Sequence, residues 1–252
     1  MPELATVALL ALLPPAGTVT GALVAEWVPV TDRWLSRGLH MAAGVVIAVV
    51  AIEIFPDALD AAPGWVLGLA AFAGGLLFLL AQRAIGRWAD ADGASGGGDD
   101  TGQGGGGQMW MIYLATVTDL FADGLLIGAG TSVSPQLGIA LALGQVLADG
   151  PEGFATIFTL RANEVPRSRR LKVTASFFVW PLVAAAIAFL LLRGASEAVQ
   201  YTALVVTAGL FLVAGIEDMI QEAHEVDADS ATSTLSFIGG FALFGIVSSL
   251  LA

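Results

Sequence analysis

The chain has 252 residues, of which 56% are hydrophobic and only 13% charged, and its mean hydropathy is +0.81. A soluble domain carries about 25% charged residues, so the composition excludes a soluble protein and indicates an integral membrane one. The formal net charge of −12 argues against a nucleic acid partner, and with no cysteine there is neither a disulfide framework nor a thiolate metal site.

The apolar runs are too long and too continuous for the strands of a barrel. The expected fold class is therefore all-α integral membrane, with eight transmembrane helices over 4–24, 36–55, 63–83, 109–130, 135–160, 171–192, 199–220 and 232–251. Span one contains Pro14-Pro15, which predicts a kink or break, because proline removes a helical hydrogen bond and clashes with the preceding turn. It has no basic start and no A-x-A cleavage site, and reads as a retained span rather than a signal peptide. His40, at the start of span two, is expected at the membrane interface. Residues 89–108 (ADADGASGGGDDTGQGGGGQ) form a Gly/Asp-rich linker that separates spans one to three (1–88) from spans four to eight (109–252). The loop RANEVPRSRR, between spans five and six, reads as a basic anchor. The six tryptophans mostly fall near span ends, as an aromatic belt does.

The basic residues set an orientation. With the N-terminus external, the inner loops, linker included, hold Arg33, Arg37, Arg83, Arg87, Arg161, Arg167, Arg169, Arg170 and Lys172, and the outer loops hold only Arg193. This expectation puts both termini outside a multi-pass protein of the cell membrane. Acidic loops, including Asp99, Asp100, Glu225 and Asp227, suit a halophilic setting as well as an ordinary acidic surface. At a constant offset of 165, Ala43 pairs with Ala208, Gly44 with Gly209, Glu53 with Asp218, Asp57 with Glu222 and Ala58 with Ala223. Spans two and seven then run in opposite directions. This predicts an inverted repeat of spans one to three and six to eight around central spans four and five, an architecture common among secondary transporters.

Two carboxylate pairs lie inside membrane-length apolar segments: Asp119 and Asp123 in span four, Asp149 and Glu152 in span five. Each charge near a bilayer centre costs roughly 2.5–3.5 kcal/mol, so the four acids need a partner. Spacings of four and three put each pair on one helical face, and the simplest partner for converging carboxylates is a cation. Gln145 lies four residues before Asp149 on the same face, and Thr116 and Thr118 offer weak oxygen ligands. Pro151 frees a backbone carbonyl, while Gly150 and Gly153 permit close approach. The competing reading is that the acids are protonated and act as helix–helix glue. Asp57, Glu217, Asp218 and Glu222 lie near span ends, where solvated caps are the default.

At these motifs the chain resembles the ZIP (Zrt/Irt-like) metal transporters over nearly its whole length. DLFADG resembles the family's H-N-x-x-E/D-G motif, ADGPEGFA its H-N-x-P-E-G motif, and AGLFLVAGIEDMIQEAHE the seventh-span pattern of prokaryotic members. The resemblance implies a metal site between spans four and five with Asp123, Asp149 and Glu152 as ligands and Asp119 where a histidine is usual. It also implies an exit position at Glu222 and His224. Leu120 stands at the usual Asn position, Ala148 at the usual His or Gln, and Trp180 precedes Pro181 where an acid is common.

An oxygen-only donor set of this kind suits hard divalent ions. The expected substrate is thus a divalent cation (zinc, manganese or iron), with no organic cofactor; the partners are the metal and the bilayer, and a homodimer stays open. The alternative is a degenerate member that senses a cation or carries something other than zinc. No enzyme is expected: the G-x-G-D motif of intramembrane aspartyl proteases is absent, and Asp123-Gly124 lacks the following arginine of the alcohol phosphotransferases.

Overall fold

The computed structural model describes residues 2–28, 31–91, 104–213, 215–216, 219–220, 223 and 231–251, and these form helices joined by short turns, with no strand among them. Glu217, Asp218, Glu222 and His224 lie outside the described residues, so the expected exit position does too. Among the described residues, six helices are long and apolar enough to cross a membrane: Glu3–Trp27, Asp32–Ala61, Gly64–Ala84, Met109–Val133, Arg167–Leu192 and Ala231–Leu251.

The first of these is broken where the prolines require it. Pro14 and Pro15 have no N–H to offer the carbonyls one turn earlier, and the chain divides at Leu12 into α1 (Pro2–Ala11) and α2 (Leu13–Trp27). The second is continuous but uneven: α3 (Asp32–Ala48) passes through a π-helical stretch at Val49–Ile54 into α4 (Phe55–Ala61). Next come α5 (Gly64–Ala91) and α6 (Gly104–Val133). Both ends of the expected 89–108 linker are therefore helical. Adding a residue to an existing helix gains a hydrogen bond without a new nucleation cost, so helices run past the ends of their apolar segments.

A single non-helical residue, Ser134, separates α6 from α7 (Pro135–Ala162). Its hydroxyl accepts a hydrogen bond from Leu137 N at 3.1 Å, and Pro135 supplies the preset φ favoured at a first helical position. So short a connection folds α6 and α7 into an antiparallel pair. Beyond it lie α8 (Arg167–Ser176), α9 (Val179–Leu192), α10 (Glu197–Val213) and α11 (Ala231–Leu251).

The pair α6–α7 occupies the middle of the bundle. Helix α2 packs along α7 and α9 along α6; α3 also touches α7, and α10 touches α6; α11 packs on α3, and α5 on α10. Small residues permit these crossings. A Cβ at Gly153 would stand 2.0 Å from the carbonyl oxygen of Thr18, and one at Gly124 would stand 2.4 Å from that of Pro181, so α7 and α6 are held against α2 and α9 at the level of the acids. In a bilayer, where burying apolar surface gives little net drive, such close backbone packing is a main source of helix association.

The structure adds to two expectations. His40 is packed within the bundle, 5% exposed, with Nδ1 2.8 Å from the Ser36 carbonyl oxygen, and α3 starts at Asp32, one turn earlier than span two was drawn. The basic loop is more than an anchor. Glu164 adopts a left-handed turn (φ 55°), and the turn leads Arg170 to the end of α2, where its Nε and Nη2 reach the two Glu26 carboxylate oxygens at 2.6 and 2.8 Å. Arg170 also donates to the Val165 carbonyl, and Arg161 to that of Ala25.

Candidate metal centre

The hairpin sets the register of the acids. Asp123 and Gln145 each lie eleven residues from Ser134, and Asp119 and Asp149 each lie fifteen. At 1.5 Å per residue, two levels of facing side chains form roughly 16 and 22 Å from the turn. At the first level Gln145 Nε2 donates to Asp123 Oδ1 at 2.8 Å. Between the levels, carboxylate oxygens of Asp119, Asp123 and Asp149 all come within 4.8 Å of one another. Asp123 is 0% and Asp149 1% exposed. Glu152 is half-buried, one turn further along α7, with its carboxyl against that of Asp119.

The polar atoms left over are all acceptors. Asp119 Oδ2, Asp123 Oδ2, Asp149 Oδ2 and Gln145 Oε1 are buried without a hydrogen-bond partner. No Lys, Arg or His occurs from Met109 to Leu160, so neither α6 nor that length of α7 carries a balancing charge. A buried acceptor left unpaired costs about 1–3 kcal/mol, and more if charged. A cation bound at 2.0–2.6 Å puts oxygens on opposite sides of it roughly 4–5 Å apart, a range that the 4.8 Å limit on the three aspartates overlaps. This donor set therefore fits a divalent ion.

The chain matches no family model and no curated protein. The chemistry of the site therefore rests on its own atoms. Leu120 and Ala148, beside the acids in sequence, are each 1% exposed and bring no side-chain ligand atom. Of the weaker ligands expected from the sequence, Thr118 Oγ1 donates to the Leu114 carbonyl at 2.7 Å. Thr116 Oγ1 lies 3.0 Å from Thr156 Oγ1, which ties α6 to α7 one turn beyond Asp119 and Glu152.

Two features escaped the sequence reading. Thr156 is one. The other is Gln82 of α5, which borders two cavities that reach Asp119. One, of ≈260 Å³, is also lined by Thr116, Glu152, Thr156 and Thr159; the other, of ≈240 Å³, is also lined by Thr118 and Phe78. An amide at the end of an apolar run, just before Arg83, was the signal for Gln82, and the hydroxyl one turn after Glu152 was the signal for Thr156.

Proposed function

We propose that this chain is a ZIP-type carrier of a hard divalent cation, with Asp119, Asp123, Asp149 and Glu152 as its carboxylate ligands and Gln145 as a fifth oxygen. The observation that carries this reading is the convergence of four unpartnered acceptor oxygens between α6 and α7, with no basic residue in the chain from Met109 to Leu160. Protonated glue would join these carboxyls through shared protons, whereas a metal would use the same oxygens as ligands, and the response to added metal separates the two. With imidazole and thiolate missing, manganese or ferrous iron competes well against zinc. The vestibule lined by Gln82, Thr116, Thr156 and Thr159 gives the ion a polar route away from Glu152.

The same reading includes eight spans, α7 and the shorter apolar α10 joining the six helices that are long and apolar enough to cross a membrane. It places them in a cell membrane with both termini outside and the basic loops inside. The three outer spans on each side form an inverted repeat, supported by reciprocal glycine contacts. Gly44 abuts the Phe237 carbonyl and Gly240 that of Met41, while Gly209 abuts the Ala71 carbonyl and Gly74 that of Val206. Gly44 and Gly209, like Met41 and Val206, are 165 residues apart; Ala71 and Phe237, like Gly74 and Gly240, are 166 apart. The π-helical stretch at Val49–Ile54 has a counterpart at Gly215 and Ile216, at the same offset from Val50 and Ala51.

The test is uptake into liposomes containing the purified protein, screened over manganese, iron, zinc and calcium. Manganese or iron is expected to accumulate above protein-free vesicles, and Glu152→Gln is expected to cut the initial rate at least tenfold. A protein that binds manganese but moves no divalent ion would replace transport with sensing.

A further inference from the structure

A groove of ≈790 Å³ runs between α2, α3 and α7, apart from the carboxylates. Ala16, Thr20 and Val24 form one wall, Trp34 and Gly38 the other, and Pro151 part of the floor. Its depth comes from missing side chains: a Cβ on Gly38 would already lie 3.3 Å from the Pro151 ring. No charged side chain lines it, and the Thr20 hydroxyl is engaged with the Ala16 carbonyl at 2.6 Å. An apolar cavity offers water nothing to hold, and a groove open to the side of a membrane helix bundle meets hydrocarbon.

The rim has a different chemistry. Trp34, 66% exposed, has the Arg37 guanidinium 5.9 Å from its ring centre; Trp27, at the end of α2, has that of Arg167 at 4.8 Å. Exposed tryptophans sit at the headgroup level of a bilayer. Basic pockets between helices take up anionic headgroups, and a guanidinium matches phosphate oxygens in pairs. Glu26 Oε2 lies 3.6 Å from Arg167 and offsets part of its charge, but Arg170 holds both Glu26 oxygens and Arg167 stays 54% exposed, so Arg37 carries most of the positive charge here, with Arg167 beside it.

We propose that this groove binds one anionic phospholipid, with an acyl chain along Ala16, Thr20 and Pro151 and the phosphate at Arg37 and Arg167. The bound chain lies against Pro151, which stands between Asp149 and Glu152, so the lipid touches the helix that carries two of the acids. The site does not depend on the metal reading and stands or falls separately.

Native mass spectrometry of the delipidated full chain, titrated with phosphatidylglycerol or phosphatidylcholine, tests it. Wild type is expected to retain one phosphatidylglycerol in clear preference to phosphatidylcholine. Arg37→Gln should weaken phosphatidylglycerol about fivefold, the worth of one interfacial arginine, and leave phosphatidylcholine unchanged. Thr20→Trp, which fills the groove from an exposed position, should lose the bound lipid. Equal binding of the two lipids by wild type would overturn the proposal, as would phosphatidylglycerol binding unchanged in Arg37→Gln. So would a wild-type dimer that Thr20→Trp splits, since a second copy would then fill the groove. Should Thr20→Trp fail to melt cooperatively, the Arg37→Gln comparison decides alone.

Discussion

Replacing Asp123 and Asp149 together by Asn is expected to abolish the stabilisation that manganese gives the wild type. A ligand that binds only the folded state at about one hundred times its dissociation constant adds about 2.7 kcal/mol. For a chain of this size that raises the melting temperature by roughly 5–10 °C. The Asn pair keeps the shape and one oxygen of each side chain but removes both charges from the centre of the site. Without metal, the variant should melt at or slightly above wild type, because unpaired buried carboxylates destabilise the fold. Thermal melts in detergent, with and without manganese, separate the two effects. A variant that gains as much from manganese as the wild type would place the ion elsewhere.

A second large effect is expected far from the acids. Arg170→Ala should lower stability by about 3–5 kcal/mol, because it leaves the Glu26 carboxylate buried without its bidentate partner. The Glu26 and Arg170 side chains are only 5% and 11% exposed, so solvent screens this pair little. Arg167, 3.6 Å from Glu26 but 54% exposed, is a poor substitute. Replacing Glu26 and Arg170 together by Leu and Met should recover most of the loss. Calorimetric melts of the single and double variants measure it, and a single-variant loss under about 1 kcal/mol would show that the pair behaves as an exposed one.

The centre of the site was largely legible in the sequence because its geometry is local. Spacings of four and three fix which acids share a helical face; that Asp123 meets Gln145 and Asp119 meets Asp149 depends on the one-residue turn at Ser134, which spans drawn as 109–130 and 135–160 left as a four-residue gap. The break before Pro14-Pro15 was equally legible, since a missing N–H acts within one turn. What escaped depends on contacts distant in the chain. Nothing near Arg170 indicates that it closes on Glu26, 144 residues earlier, and a basic loop residue reads as solvated until the end of α2 is placed. Gln82 reaches the Asp119 cavity only because α5 lies beside it. Helix ends are set by hydrogen bonding rather than by the limits of an apolar run, so α3 begins one turn before span two was drawn, and the burial of His40 depends on the helices packed around it.

The central claim, a cation held between α6 and α7, is tested most directly by anomalous diffraction from crystals soaked in manganese. The account predicts a peak between Asp119, Asp123 and Asp149, with metal–oxygen distances of about 2.0–2.6 Å and Gln145 or Glu152 completing the shell. A well-occupied peak elsewhere, or none at manganese concentrations that shift the melting temperature, would contradict it.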